Sequence, residues 1–302
     1  MADKPKKKVV RVETEASKPK SQSSASSSKS STRSGETSAA KAGTEAAGPV
    51  KEPAWTPTPE AKSKATRFRV FAWMAWIVAI GLEIFTIAWV LKQTPVNTWL
   101  LVGVLVVIAL LAVAGNLLWK QANRLDPASE KNKTKFFVQN QLGLIMTIIA
   151  FLPLIVLIFT NKDMDGKQKA VAGGVGAVLA VAVALLSGVT WDSPSQEQYA
   201  AEESIIVTLT GADEVYWVKS GKVFHVCDAV PDVNRESADG QIYVGTVSEA
   251  HAQGKERLTQ KWESEALNYC GYTQEDVDRV LASIDNPSGE VEKPSEGIEQ
   301  SN

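Results

Sequence analysis

Four long apolar stretches in the middle of this 302-residue chain constrain its fold more than any other feature. They cover about residues 70–91, 98–119, 141–160 and 169–190. A helix needs about 20 predominantly apolar residues to cross the roughly 30 Å hydrocarbon core of a bilayer. The stretches are apolar all round, whereas a helix of a soluble bundle shows a polar face at the helical period. We therefore expect an all-α membrane domain of four transmembrane helices over residues 67–191.

The sequences on either side of this domain are polar and carry opposite net charges. Residues 1–66 hold 13 Lys and Arg against 7 Asp and Glu, and they are rich in Ser, Lys and Ala. Residues 192–302 hold 8 Lys and Arg against 22 Asp and Glu. Segments so poor in apolar side chains cannot offset the entropy of ordering, so residues 1–66 and 286–302 are expected to be disordered tails. Residues 192–285 are expected to form a small, acidic, soluble α+β module.

Local patterns predict the elements of this module. SIIVTLTG and QIYVGTV are typical of strands, and EVYWVKSGKVFHV is typical of a hairpin with Ser220-Gly221 at its turn. Thr246 and Glu249 have the spacing of a capping box that opens a helix, and Gly254 can close that helix. Two further helices are expected over about 256–268 and 274–284.

Lys and Arg beside the apolar stretches predict the orientation of the chain. Nine of them flank the ends on the side that holds both termini, and four lie on the opposite side. An excess of Lys and Arg marks the cytoplasmic loops of membrane proteins. We therefore expect a multi-pass protein of the cell membrane with both termini in the cytoplasm.

Two parts of the chain resemble known sequences. NRLDPASEKNKTKFFVQNQLGLIMTIIAFLPLIVLIFTNKDMDGKQKAVAGG resembles a group of uncharacterised multi-pass membrane proteins of actinobacteria. VYWVKSGKVFHVC, followed by IYVGTVSEAHAQGKERL, resembles a small C-terminal module of those proteins. That module carries Gly-Lys-x-Tyr-His, then a Cys and a closing Cys-x-x-Cys, and these ligand types imply zinc. Here Phe224 replaces the Tyr, and Thr259 and Trp262 stand where the closing cysteines are expected.

Four residues of the module are of types that bind zinc: His225, Cys227, His251 and Cys270. Structural zinc sites usually take four such ligands, and residues 225 and 227 of one strand point to the same face. The spacing of the four matches no strong zinc template. A disulfide between the two cysteines is a second alternative, and it requires the module to lie outside the cytoplasm. We favour the third, in which the four residues are buried or surface side chains without a ligand role, and expect no cofactor.

Glu83 is the only ionisable residue well inside an apolar stretch. A charge at that depth costs at least about 2.5–3.5 kcal/mol, so the carboxyl group is expected to be neutral, paired or facing a cavity. By depth, its neighbours are expected near Pro153 and Gly176. The residue has a structural role, a role in a proton or cation pathway, or a tilted side chain that faces water or lipid.

The favoured function is that of a membrane-anchored binding or scaffolding protein that is not an enzyme. The sequence lacks a P-loop, a G-x-S-x-G and an H-E-x-x-H motif. The acidic module is unsuited to nucleic acid, so its expected partners are the lipid bilayer and a protein, and a homo-oligomer is an option. The alternative function is a small transporter or proton-coupled channel that uses Glu83.

Overall fold

Four long helices and a smaller mixed module make up the part of the chain that is described. The computed structural model describes residues 8–12, 55–191, 193–235, 237 and 239–285. The long helices are α1 (Pro59–Ala88), α2 (Thr98–Leu125), α3 (Lys133–Thr160) and α4 (Gly166–Val183). A 3₁₀ turn at Val90–Lys92 follows α1, and a π-helical turn at Ala184–Gly188 continues α4.

The four helices are long and apolar enough to cross a membrane, as the sequence predicts. They are longer than the apolar stretches because polar turns extend them. Each begins after a residue whose side-chain oxygen accepts a hydrogen bond from a backbone N–H of the first turn, which satisfies a group without a helical partner. These residues are Thr58, Asn97, Asn132 and Asp165.

A buried polar cluster joins the four helices to one another. The Asn116 amide of α2 donates to Thr147 Oγ1 of α3 at 3.0 Å and to Ser187 Oγ of the π-helical turn at 3.1 Å. Its Oδ1 accepts from the indole N–H of Trp76 on α1 at 3.2 Å. The apolar core of the bundle, with Leu105, Phe151 and other buried side chains, packs between the same helices. One side chain thereby fixes the relative register of all four helices.

The module begins with a helix where a strand is predicted. SIIVTLTG belongs to α5 (Gln196–Thr210), so the strand prediction is wrong. The buried side chains of α5 are Tyr199, Glu202, Ile206 and Leu209, which are spaced by three or four residues as in a helix. Ser195 caps the start of α5, and Gly211 ends it with a φ of 81°. Burial along one helical face and the two caps thus outweigh the strand propensity of Ile, Val and Thr.

The remaining elements follow the predictions more closely. Strands β2 (Val215–Trp217) and β3 (Val223–Phe224) form the arms of the predicted hairpin, and the Tyr216 and His225 backbones exchange two hydrogen bonds. Strand β4 (Gln241–Gly245) precedes α7 (Val247–Ala252), whose capping box is present as predicted. The short helix α6 (Pro231–Arg235) was not predicted. The helix predicted over 256–268 is instead β5 (Arg257–Leu258) and α8 (Trp262–Asn268), followed by α9 (Gln274–Asp285).

Part of the N-terminal tail is ordered, contrary to the prediction of disorder over residues 1–66. Strand β1 (Lys8–Arg11) pairs in parallel with β4, and β2 pairs with the other side of β4. Helix α1 also begins at Pro59, within the predicted tail. Residues 1–7 and 13–54 of that tail, and the tail predicted over 286–302, lie outside the described residues.

The module packs directly on the ends of α1 and α2. Tyr199 Oη donates to the Arg124 carbonyl at 3.0 Å, and the Gln121 amide donates to the Ala252 carbonyl at 2.8 Å. The Trp55 indole N–H, just before α1, donates to Ser248 Oγ of α7 at 2.9 Å. These bonds hold the module against the end of the helix bundle.

Candidate anion-binding cavity

The two cysteines of the module are paired with each other, whereas we favoured cysteines without a bonding or ligand role. Cys227 and Cys270 form a disulfide that closes a separation of 43 residues. Cys227 follows β3, and Cys270 lies in the turn between α8 and α9. Apolar side chains of both small cores of the module surround the pair. Both sulfurs are therefore engaged with each other, which leaves neither as a thiolate to bind zinc.

His225 is buried and paired with a carboxylate. Its Nδ1 lies 3.0 Å from Glu265 Oε1 and 3.1 Å from Oε2. Both side chains are about 6% exposed, so the pair is shielded from solvent. This contact ties the end of the hairpin to α8.

His251 is paired with a different carboxylate at the face of the module that meets the helices. Its Nδ1 faces the Lys255 carbonyl at 3.0 Å, so that nitrogen carries a proton because a carbonyl only accepts. Its Nε2 lies 2.6 Å from Glu202 Oε2. The ring also stacks on Tyr199, with centroids 3.8 Å apart. The imidazole is thus held on both edges and one face.

The four zinc-type residues of the sequence do not come together as a site. In the described part of the chain, no three His, Cys, Asp or Glu side chains are grouped so that they could hold a metal ion. Each histidine is instead paired with a carboxylate that was not predicted from the sequence. Glu265 pairs with His225, and Glu202 pairs with His251. On α5, Glu202 lies on the same buried face as Tyr199 and Ile206. Its spacing of three and four residues from them was the available sign in the sequence that Glu202 is buried.

Glu83 is buried inside the helix bundle, at 4% exposure. Its Oε1 has no hydrogen-bond partner among the described residues. The Leu154 backbone faces its carboxyl group, next to the predicted neighbour Pro153. The side chain therefore lies between α1 and α3, as its depth in the sequence predicts.

Basic side chains border a cavity between the end of α2 and the module. The cavity has a volume of about 310 Å³. Thr190, Trp191 and Tyr199 form part of its wall, together with the His251 ring. Five basic side chains and one acidic side chain line it: Lys120, Arg124, Lys222, Lys255, Arg257 and Glu256.

Two of the lysines are held in place by backbone carbonyls. Lys120 Nζ donates to the Val189 carbonyl at 2.8 Å, which joins α2 to the end of the π-helical turn. Lys255 Nζ donates to the carbonyls of Val218 and Gly221 at 2.6 and 2.5 Å. Burial, and then the nearby Arg124 guanidinium, lower the pKa of Lys255. Carbonyl groups orient these ammonium groups without neutralising their charge.

The guanidinium groups of the cavity are not paired with carboxylates of the described chain. Lys222 Nζ lies 3.3 Å from Glu256 Oε1, so the one acidic side chain of the lining is paired with an exposed lysine. Among the residues that the structure describes, no carboxylate forms an ion pair with Arg124 or Arg257. A cavity lined in this way keeps a positive potential that favours an anion.

The chemistry of the lining fits an oxyanion with several acceptor atoms. Guanidinium groups present donors in a planar fork that matches phosphate or carboxylate oxygens, and ammonium groups add point charges. The volume is at the lower end of the range for small-molecule sites, which suits a single phosphate-bearing group. From the sequence, Lys120 and Arg124 indicated only the orientation of the chain. Their spacing of four residues, one helical turn, was the available sign that they share a face.

No protein-family model, curated protein or solved structure matches this chain.

Proposed function

We propose that the chain is a membrane-anchored binding protein that holds a phosphate-bearing anion in the cavity between α2 and the module. The observation that carries this proposal is the lining of five basic side chains with a single acidic one. The four apolar helices anchor the protein in the cell membrane, and the module closes one wall of the site. The module as a whole is acidic, but the side chains that line the cavity are mostly basic. The ligand is therefore anionic.

The position of the cavity favours the headgroup of an anionic phospholipid as the source of the phosphate. Lys120 and Arg124 occupy the last turns of α2, where a spanning helix leaves the hydrocarbon. Trp191 beside them is 79% exposed, and indole rings favour the headgroup region. Basic pockets at this depth on the cytoplasmic side suit phosphorylated or diphosphate headgroups. A soluble phosphate ester shares the same chemistry and is the second source.

Binding to the protein purified in mild detergent tests the proposal. One arm measures inorganic phosphate, and the other measures nanodiscs that contain phosphatidic acid against nanodiscs of phosphatidylcholine alone. We expect the double variant Arg124→Gln and Arg257→Gln to weaken binding at least about 10-fold, because two charge-assisted contacts are lost. Arg279→Gln is the matched control, since Arg279 is exposed on α9 and pairs with Asp276.

The two arms separate the sources of the ligand. Preference for phosphatidic acid with weak binding of inorganic phosphate assigns the headgroup, and the reverse assigns a soluble ester. Equal binding by the double variant and the control in both arms would overturn the proposal.

A second candidate function, transport of a proton or cation, is favoured by one observation. The Oε1 atom of Glu83 is buried without a partner in the described chain, as expected of a group that exchanges a proton. Glu83→Gln keeps the shape and removes the titration. Transport predicts abolished proton flux in liposomes, whereas the binding function predicts unchanged phosphate affinity.

A further inference from the structure

The edge of β4 that faces away from β2 carries a segment distant from it in sequence. The sheet order is β1, β4, β2, so β1 covers one side of β4. Lys8 pairs with Gln241 and Arg11 with Val244, in parallel register. The Val12 N–H, just past the strand, donates to the Val244 carbonyl at 2.8 Å. Without β1, these backbone groups of β4 would form an open edge that accepts a strand.

Side chains of the segment add recognition to the backbone pairing. Val12 packs against the main core of the module. Arg11 forms an ion pair with Glu214, which also accepts the Tyr216 hydroxyl at 2.7 Å. Val9, on the face of the strand opposite to Val12, is 45% exposed and contributes less to recognition. The edge therefore favours a strand with a β-branched residue at the position of Val12 and an arginine at the position of Arg11.

The segment reaches this edge through a long connection. Forty-two residues separate Val12 from Trp55, where the described chain resumes. Because β1 belongs to the same chain as β4, its pairing is intramolecular and competes with outside ligands for the edge.

We propose that the β4 edge is a docking site for an extended peptide of a partner protein, in which a β-branched residue follows an arginine, and that Lys8–Val12 is its built-in competitor. Strand addition to a sheet edge is a recurrent mode of peptide recognition, with affinity from the main chain and specificity from alternate side chains. The partner is defined here by this pattern, Arg followed by Val or Ile in an extended segment. Docking of the partner displaces β1 and leaves the rest of the fold in place.

The test measures binding of a fluorescent peptide of residues 4–16 to the full-length protein in detergent. In the freed-edge variant, Arg11→Ala with Val12→Asp, the resident strand pairs poorly, so the peptide is expected to bind at least about 10-fold more tightly than to the wild type. The Val12→Asp peptide is expected to lose binding, and the Val9→Thr peptide to keep it. Because the whole chain is retained, the module stays tethered to its helices.

Charge reversal separates a loss of peptide recognition from a loss of folding, because the complementary peptide is expected to restore binding. Adding Glu214→Arg to the freed-edge variant is expected to weaken binding of the wild-type peptide, and a peptide with Arg11→Glu is expected to restore it. Thermal unfolding of each variant confirms that the module is intact. Equal affinity for the wild type and the freed-edge variant, or no effect of charge reversal on either peptide, would overturn the proposal.

Discussion

His251 is the most constrained side chain at the face between the module and the helices. It is 1% exposed and touches Glu202, the Lys255 carbonyl and Tyr199. The residue type alone predicts a metal ligand as readily as a packed partner of a carboxylate. Which of the two applies depends on Glu202, which is 49 residues away and reaches the ring only through the packing of α5 on α7. The sequence therefore identifies the histidine but not its role.

Replacing His251 with Leu is expected to destabilise the module by about 3–5 kcal/mol, because the Glu202 carboxylate then stays buried without its ring partner. The measurement is denaturant unfolding in detergent, followed by tryptophan fluorescence, to which Trp217 in the same core contributes. Glu263→Gln on the surface of α8 serves as the control and is expected to change little. A loss below 1 kcal/mol would show that the pair contributes nothing to stability.

At the scale of elements, the long apolar helices follow from the sequence, whereas two of the shorter elements, α5 and β1, do not. Length and uniform apolarity determine α1 to α4, because no other structure satisfies so long an apolar backbone in a bilayer. In α5, the run of Ile and Val favours a strand locally, and only burial of one face in the folded module selects the helix. Strand β1 has four residues, too few for a pattern, and it exists because a distant edge accepts it.

Asn116→Ala is expected to destabilise the helix bundle by about 1–2 kcal/mol, since it removes hydrogen bonds to three other helical segments. Unfolding of the purified protein by SDS titration in mixed micelles measures this change. The adjacent Leu117 is 54% exposed on the outer surface of α2, and Leu117→Ala is expected to have little effect. Equal losses for both variants would contradict a role of the polar cluster in joining the helices.

At the scale of the whole molecule, the sequence predicts the parts but not their docking. The cavity exists because the module packs on α2, through contacts such as that of Tyr199 with the Arg124 carbonyl. Such contacts join residues about 75 positions apart and leave no local pattern. The orientation of the whole also stays a prediction, and two features oppose each other on it. The Lys and Arg excess favours a cytoplasmic module, and the Cys227–Cys270 disulfide favours an oxidising compartment.

We expect the Lys and Arg distribution to decide the orientation, since nine basic residues flank one side and four the other. Reporter fusions at the C-terminus and after Leu125 are then expected to report cytoplasm, and a fusion at Asp163 the opposite side. In intact cells, both cysteines are expected to label with a membrane-permeant maleimide, because cytosolic reductants open the disulfide. A C-terminal reporter that is active only outside, with thiols protected until a reductant is added, would reverse this assignment.

In the purified, oxidised protein, the disulfide is expected to stabilise the module by about 2–4 kcal/mol, because it constrains a long loop of the unfolded chain. Thermal unfolding of the wild type with and without reductant measures the effect. The variant Cys227→Ser is expected to match the reduced wild type in both conditions. A wild type that is insensitive to reductant would contradict the bond in solution.

Helix α2 has two surroundings, since it packs between the other helices along most of its length and borders the cavity with its last turns. A spanning helix adjusts its tilt to the thickness of the bilayer around it. In our proposed arrangement, a change of tilt strains the bonds that join Arg124 and Gln121 of α2 to the module, and so changes the shape of the cavity beside them. The affinity of the cavity for its anion would then vary with bilayer thickness, so the acyl chain length of the host lipid becomes an effector of binding.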